Sequence, residues 1–179
     1  LNGAYDIKKY EPVQITTSSS KESSIVIKDD NVIYFASDRS GSFNVFKKDL
    51  AKEIETQITS LPNNEHPVLY DGRIIMRSDE TDVYGNLYYL KDSGEQELLF
   101  SAIGEECNPC LNGRMIYFSE KKKDGYFLKS FNLKKRKKPK QVRDGIGERA
   151  FVLGTNDLLY QSYPDASGFS NLFISYMTA

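Results

Sequence analysis

A self-similar unit of roughly 42 residues recurs four times along this chain of 179 residues. Each copy contains a hydrophobic strand that ends in serine, and these serines follow one another at a nearly constant interval: Ser37, Ser78, Ser119 and Ser162. Two further markers share the period. They are a glycine-containing turn at Gly41, Gly85, Gly125 and Gly168, and an apolar strand residue at Ile15, Ile58, Leu99 and Val142. Three markers with one period predict a repeat protein whose units pack on their neighbours.

Each unit reads as four short strands. Runs rich in Val, Ile, Tyr, Phe and Thr are separated by turns that contain Gly, Asp, Asn and Ser. No stretch has the apolar spacing of a long amphipathic helix. A four-stranded antiparallel unit of this length is typical of one β-propeller blade. We therefore predict an all-β fold, a β-propeller with about four blades in a single domain over 1–179, with blade repeats at approximately 18–59, 60–100, 101–143 and 144–179.

The two ends of the chain are out of step with the blades. The chain begins with the end of one blade, at 4–17, and its last copy ends at a third strand, at 171–177. This offset predicts that the N-terminal strand 4–17 pairs with the C-terminal strand and closes the ring, which would remove two open sheet edges. An arc of a larger propeller would have the same offset, and this alternative stays open.

Several short motifs recur in the units: Pro, then Asp-Gly, a hydrophobic strand, Ser-Asp-Arg, a Gly turn, and a strand leading to Thr. The second unit matches at Pro67, Asp71, Gly72, Ser78 and Asp79, the first at Ser37, Asp38, Arg39 and Thr59, and the third at Pro109, Gly113 and Ser119. In this pattern the units resemble the WD-like repeats of TolB-type propellers. The resemblance covers nearly the whole chain, is weakest in the last unit, and implies the fold more than a function.

Composition and cysteine spacing argue against several classes of function. The net charge of −1 opposes a domain-wide attraction to nucleic acid or membranes, and no apolar run is long enough to span a bilayer. Cys107 and Cys110 have the spacing of a CxxC motif, but the chain has no other cysteine and only one histidine, His66, so a zinc site lacks ligands. We expect no cofactor and no metal, and a packing role or a local disulfide for the two cysteines.

Antiparallel strands place alternate loops at opposite ends of a blade. One face of the propeller therefore collects the loops that enter the inner strands, and these loops are rich in carboxylates. On this acidic face we expect the partner-binding residues Glu65, His66, Glu105, Glu106, Glu148 and Arg149. The opposite face receives the basic run 134–140, which we predict to be a solvated hairpin. We predict no catalytic residues, because a nucleophile and an orienting carboxylate for His66 cannot be identified.

These features predict a non-catalytic, monomeric module that binds a protein or peptide partner through its acidic loop face, without nucleic acid and without a transmembrane segment. The resemblance to TolB-type propellers implies a bacterial periplasmic or secreted, cell-envelope-associated location. No signal peptide is visible, and the chain begins with Leu1, so we expect a processed product or a fragment. Two alternatives stay open. One is an accessory propeller domain of a prolyl-oligopeptidase-like hydrolase, and the other is a propeller that binds or cleaves glycans with carboxylates around its mouth.

Overall fold

All regular secondary structure in the described part of the chain is β-strand. A computed structural model describes residues 11–60, 63–79, 85–91, 93–100, 105–153, 157–162 and 171–176. The first sheet has the order β1 (Glu22–Asp29), β2 (Val32–Ser37), β3 (Asn44–Asp49), β4 (Ile54–Gln57). The second has the order β5 (Glu65–Tyr70), β6 (Arg73–Ser78), β7 (Asn86–Leu90), β8 (Gln96–Leu98). The third joins six strands in chain order: β9 (Glu105–Asn112), β10 (Met115–Lys122), β11 (Gly125–Asn132), β12 (Lys140–Leu153), β13 (Asp157–Ser162), β14 (Leu172–Tyr176).

The sheets stack face to face as the blades of a propeller. Strand β6 is buried on both sides: Met76 packs with Tyr34 and Val45 of the first sheet, whereas Ile75 packs with Phe118 of the third. Successive side chains of a strand point to opposite faces, so a strand between two stacked blades must be apolar at every position. This requirement explains why the second strand of each unit reads as a continuous hydrophobic run. The predicted all-β propeller is confirmed.

Ring closure by the N-terminal segment is not observed. Residues 11–17 belong to no strand, Val13 is largely exposed, and residues 4–10 lie outside the described residues. Strand β14 pairs only with β13, and the described strands β13 and β14 make no contact with the first sheet. The described residues therefore do not show closure of the ring. The division of 1–179 into one domain of four closed blades stays a prediction.

Strand β12 runs through the predicted junction of the third and fourth units. We expected a loop near 144–149 between an outer strand and the next inner strand, but the chain stays extended throughout. Its first half pairs with β11 and its second half with β13, with an irregular register between Ile146 and Ala150. Gly145 and Gly147 flank the buried Ile146, and glycine permits the bend with which one strand can serve two blades.

A buried polar network links the first two blades. The hydroxyl of Thr59 accepts a hydrogen bond from the Val45 amide (2.9 Å) and donates one to Asn44 Oδ1 (3.0 Å). The side chain of Asn64 donates to the same Asn44 oxygen (3.3 Å) and accepts from Gln96 Nε2 (3.0 Å). Because buried polar groups need partners, this network fixes the path of the connection from the first blade to the second.

Arg39 covers the outer face of the first blade. Its guanidinium lies over the rings of Phe35 (5.3 Å) and Phe46 (4.7 Å) and forms ion pairs with Glu22 and Glu55. A guanidinium suits this place because its flat faces stack on aromatic rings while its edges donate hydrogen bonds. The arginine of the repeat motif is thus a structural part of the blade.

Truncation of a side chain between blades tests the stacking. We expect Ile75→Ala, at a fully buried position, to lower the free energy of unfolding by about 2–5 kcal/mol, because it leaves a cavity between two sheets. Ile27→Ala serves as the matched control. Because Ile27 is 70% exposed, its truncation should lower the free energy of unfolding only slightly. Urea denaturation of the three proteins measures the difference. An equal loss for both variants would contradict the assigned burial.

The ion pairs around Arg39 predict a pH dependence. Burial raises the pKa of Glu55, but the hydrogen bonds from Arg39 and Lys48 outweigh this effect and lower the pKa below its usual 4.5. The stabilisation is therefore complete above the unfolded-state pKa and is lost as the pH falls through the lower folded-state pKa. Glu55→Gln should be less stable than the wild type at pH 7, and the difference should vanish in acid.

Thermal denaturation across this pH range measures the effect. Glu53→Gln, in the adjacent exposed turn, is the control for removal of a carboxylate charge without these partners. A stability difference for Glu55→Gln that stayed constant from pH 7 down to strong acid would contradict the role assigned to the ionised carboxylate.

Candidate functional site

The three inner strands β1, β5 and β9 share a β-bulge near their first residues. In each strand two residues lie opposite a single residue of the neighbouring strand. The bulges are Ser24-Ile25 opposite Phe35, His66-Pro67 opposite Met76, and Asn108-Pro109 opposite Phe118. A bulge interrupts the ladder and redirects side chains, and bulges are over-represented next to functional sites.

The first residue of each bulge has a left-handed backbone. The φ angles are 54° at Ser24, 51° at His66 and 49° at Asn108. Such a conformation is costly for residues other than glycine, with Asn among the most tolerant. The second residue is Pro67 or Pro109 in two of the blades, and proline suits a bulge because it has no N–H for the ladder. Strained backbone of this kind clusters at ligand-binding and catalytic sites, so the three bulges mark a candidate functional site.

The three bulges line one groove of about 370 Å³ at the inner edges of the sheets. Here Ser24 Oγ and His66 Nδ1 are 3.0 Å apart, so a hydrogen bond joins the first two blades. His66 Nε2 lies 3.7 Å from Glu65 Oε2, and Glu65 also pairs with Arg77 Nη1 at 3.5 Å. The exposed Ile25 and the bulge prolines supply the apolar part of the lining.

The groove is suited to binding through hydrogen bonds. A hydroxyl, an imidazole and a carboxamide can each donate and accept, which is the capacity needed to bind a peptide main chain. A serine–histidine–carboxylate arrangement for catalysis would need the carboxylate in hydrogen-bond contact with the imidazole. The 3.7 Å from His66 to Glu65 exceeds such a contact. Among the described residues, no group of His, Cys, Asp and Glu side chains is placed to hold a metal ion.

The sequence-predicted binding residues are distributed over three inner strands. Glu65 and His66 begin β5, and His66 lines the groove. Glu105 and Glu106 begin β9 and lie opposite Lys121 and Glu120 in the register of β10. Glu148 and Arg149 lie in the irregular part of β12. The side chains of Glu105, Glu106, Glu148 and Arg149 are outside the described residues.

The acidic character of the loop face is moderated by ion pairs. Glu65 and Asp79 both contact Arg77, whose guanidinium lies where a side chain at Gly85 would be. The buried Glu120 contacts Lys122 and Lys129. These three carboxylates, Glu65, Asp79 and Glu120, thus have basic neighbours. This pairing reduces their long-range attraction for a cation.

Sequence reasoning missed Ser24 and Asn108 as site residues. They lie one repeat before and one repeat after His66, so the interval that revealed the blades also marks them. The recurrence of a polar residue before proline, in His66-Pro67 and Asn108-Pro109, is the local signal that was available. Cys110 follows Asn108 and is partly buried, as Val68 is, which agrees with the predicted inner-strand position.

Substitutions at Asn108 test the left-handed bulge. Asn108→Gly should leave stability unchanged or raise it slightly, because glycine adopts this backbone without strain. Asn108→Val should lower the free energy of unfolding by about 1–3 kcal/mol, because a β-branched residue is strained at positive φ. Chemical denaturation measures both variants. Equal stability of the glycine and valine variants would contradict the assigned bulge conformation.

No protein-family model and no curated protein matches the chain. Solved structures do match. TolB from Acinetobacter baumannii has a TM-score of 0.75 and 16% sequence identity, over 90% of this chain and 42% of that chain. A TolB from Agrobacterium tumefaciens, described as putative, has a TM-score of 0.65 and 15% identity, over 82% and 58% of the two chains. A puromycin-hydrolysing peptidase from Mycobacterium tuberculosis has a TM-score of 0.60 and 12% identity, over 87% and 28%.

These comparisons agree with the stacked sheets and the repeat motifs. The chain spans less than half the length of the Acinetobacter TolB and little more than a quarter of the peptidase. No helix in the described residues is long and apolar enough to cross a membrane. Identities this low show the fold alone, and at that level the resemblance is confirmed: the chain has the fold of the TolB-type β-propellers.

Proposed function

We propose that this chain is a β-propeller module that binds an extended peptide segment of a partner protein at the inner edges of its blades. One observation supports the proposal above all others. Three successive blades present a polar side chain from the same strained bulge, Ser24, His66 and Asn108, along one groove. Three equivalent positions in neighbouring blades suit a ligand that is itself extended and periodic, and a peptide main chain has that form.

The chemistry of the groove assigns roles to its residues. Ser24, His66 and Asn108 would exchange hydrogen bonds with peptide N–H and C=O groups, while Ile25 and Pro67 would contact apolar side chains. Glu65 stands at the edge of the groove and would favour a cationic residue of the peptide. We propose Glu105, Glu106, Glu148 and Arg149 as further contacts around the mouth, as their loop positions in the sequence suggested.

The resemblance to TolB-type propellers, which act outside the bacterial cytoplasm, supports our proposal of a periplasmic or cell-envelope location for this module. There it would act as a non-catalytic binding protein. Binding through main-chain hydrogen bonds and a few pockets is a general mode of peptide recognition.

A second candidate is an accessory propeller beside a hydrolase domain. The observation that favours it is the shared fold with the mycobacterial peptidase, of which this chain spans 28%. In that case the same groove would select or admit peptides for a catalytic domain elsewhere. A peptide ligand is common to both candidates, so binding is the property to test first.

Selection from a random peptide library tests the proposal. We expect enrichment of peptides that contain a basic residue, and loss of their binding by about tenfold or more in the double variant Glu65→Lys, His66→Ala. The loss should shrink as salt concentration rises, because salt screens the contribution of Glu65. Fluorescence anisotropy with the enriched peptides measures both effects.

The matched control is Glu53→Lys, which makes the same charge reversal in the exposed β3–β4 turn at the opposite end of the blade. It should bind the peptides as the wild type does. If no peptide is enriched, or if Glu53→Lys weakens binding as much as the double variant, the groove is not the binding site.

A further inference from the structure

A second cavity lies at the opposite end of the blades from the bulges. It has a volume of about 810 Å³ and lies between the second and third sheets, where three hairpin turns meet. Asp71 and Gly72 form the β5–β6 turn, Gly113 and Arg114 form the β9–β10 turn, and 133–136 belong to the β11–β12 turn. We call it the hairpin cavity. Its size lies in the usual range of small-molecule sites.

The floor of the hairpin cavity is the end of the core between the two blades. Leu133 and Tyr89 are buried there, and Leu69, Tyr70 and Leu111 complete the apolar lining. An apolar floor with charged groups at the rim is the usual composition of a ligand pocket.

The turns that bear the charged groups are held in place by hydrogen bonds. Asn132 Oδ1 accepts from the amides of Lys134 (3.1 Å) and Lys135 (2.9 Å), and the Arg136 amide donates to the Asn132 carbonyl (2.9 Å). The Leu133 amide donates to the carbonyl of Arg114 at 3.0 Å, which ties two of the turns together. The turn backbones are thus organised before any ligand arrives, which lowers the cost of binding.

The turns bring an excess of positive charge to the hairpin cavity. Its lining contains Arg73, Arg114, Lys134 and Arg136 against a single carboxylate, Asp71. Arg136 lies over the Tyr89 ring and pairs with Glu97 at 3.2 Å, so its charge is already engaged. In the part of the chain that the structure describes, Arg73, Arg114 and Lys134 have no ion-pair partner. Three cations from three elements therefore face one open cavity.

We propose that the hairpin cavity binds a phosphate group, carried either by a soluble phosphate compound or by the headgroup of an anionic lipid. A phosphate offers acceptor oxygens in several directions and can contact cations from separate turns at once. A carboxylate, with two oxygens in one plane, is matched by a single guanidinium. The tyrosines and leucines of the floor would contact the organic group that bears the phosphate.

The proposal changes the interpretation of the basic run 134–140. Residues 134–138 are exposed, as expected of a solvated hairpin. In addition, Lys134 and Arg136 belong to the lining of the cavity, and Arg136 reaches the second blade. Lys137 and Lys138 belong to a different groove of the same hairpin. The run therefore contains two sets of cations with different surroundings, and these supply an internal control.

Calorimetric titration with inorganic phosphate, and with acetate as the single-carboxylate comparison, tests the proposal. We expect phosphate to bind and acetate to bind at least about tenfold more weakly. The double variant Arg114→Ala, Lys134→Ala should weaken phosphate binding by about tenfold or more, because each charge-assisted hydrogen bond is strong. Lys137→Ala, Lys138→Ala removes the same amount of charge, from the hairpin that also bears Lys134, and should change binding less than about twofold.

Flotation with phosphatidylglycerol vesicles distinguishes the two sources of phosphate. Binding to these vesicles, but not to phosphatidylcholine vesicles, together with its loss in the Arg114 and Lys134 variant, supports the lipid source. Phosphate binding without vesicle binding supports the soluble source. No binding to either, equal binding of acetate, or equal losses in the two double variants overturns the proposal.

Nuclear magnetic resonance of the unmodified chain locates the ligand without any substitution. Added phosphate should shift the amide resonances of Gly72 and Gly113, at the hairpin cavity, and leave those of Ser24 and Asn108, at the opposite end, in place. Shifts confined to the bulges, or spread evenly over all lysine-bearing turns, would overturn the assignment. The result does not depend on peptide binding at the groove, so the two proposals fail or succeed separately.

Discussion

Burial of a sheet on both of its faces is the constraint on which this structure depends. Strand β6 packs against the first sheet with Met76 and against the third with Ile75, so neither face of the second blade is left for water. A blade whose two faces are apolar cannot be stable alone and must have neighbours. Repetition of one sequence unit is the simplest way to supply them, because each copy offers its neighbour the same apolar faces.

Stacking also determines where binding residues can lie. Where two blades pack face to face, their apolar side chains fill the space between them, so strand edges and connecting loops remain accessible to a ligand. The inner edges gather the bulges at Ser24, His66 and Asn108, and the hairpin turns gather Arg73, Arg114 and Lys134 at the other end. The two ends differ because antiparallel strands send alternate connections in opposite directions. A short insertion or a charge in a turn can therefore change one end without disturbing the core.

The repeat also shows how structural and functional demands share residues. Arg39 follows the second strand of the first blade and Arg77 lies near the end of the second strand of the next blade. Arg39 packs on Phe35 and Phe46, whereas Arg77 pairs with Glu65 beside the groove. The same residue type thus stabilises one blade face and orients a candidate binding residue in the next blade. An arginine can do both because it combines a flat hydrophobic surface with several hydrogen-bond donors.

The sequence alone determined the strands, their order within each blade and the stacking of blades, because alternation, turn residues and the period are local or repeated signals. It also predicted Glu65 and His66 at the loop face, since antiparallel pairing decides which end of a blade a loop occupies. Only the tertiary structure showed that His66 meets Ser24 across two blades, that β12 serves two blades, and that Lys134 joins Arg114 in one cavity. These contacts join residues distant in the chain, and their geometry depends on how whole sheets pack, which no local pattern of residues encodes.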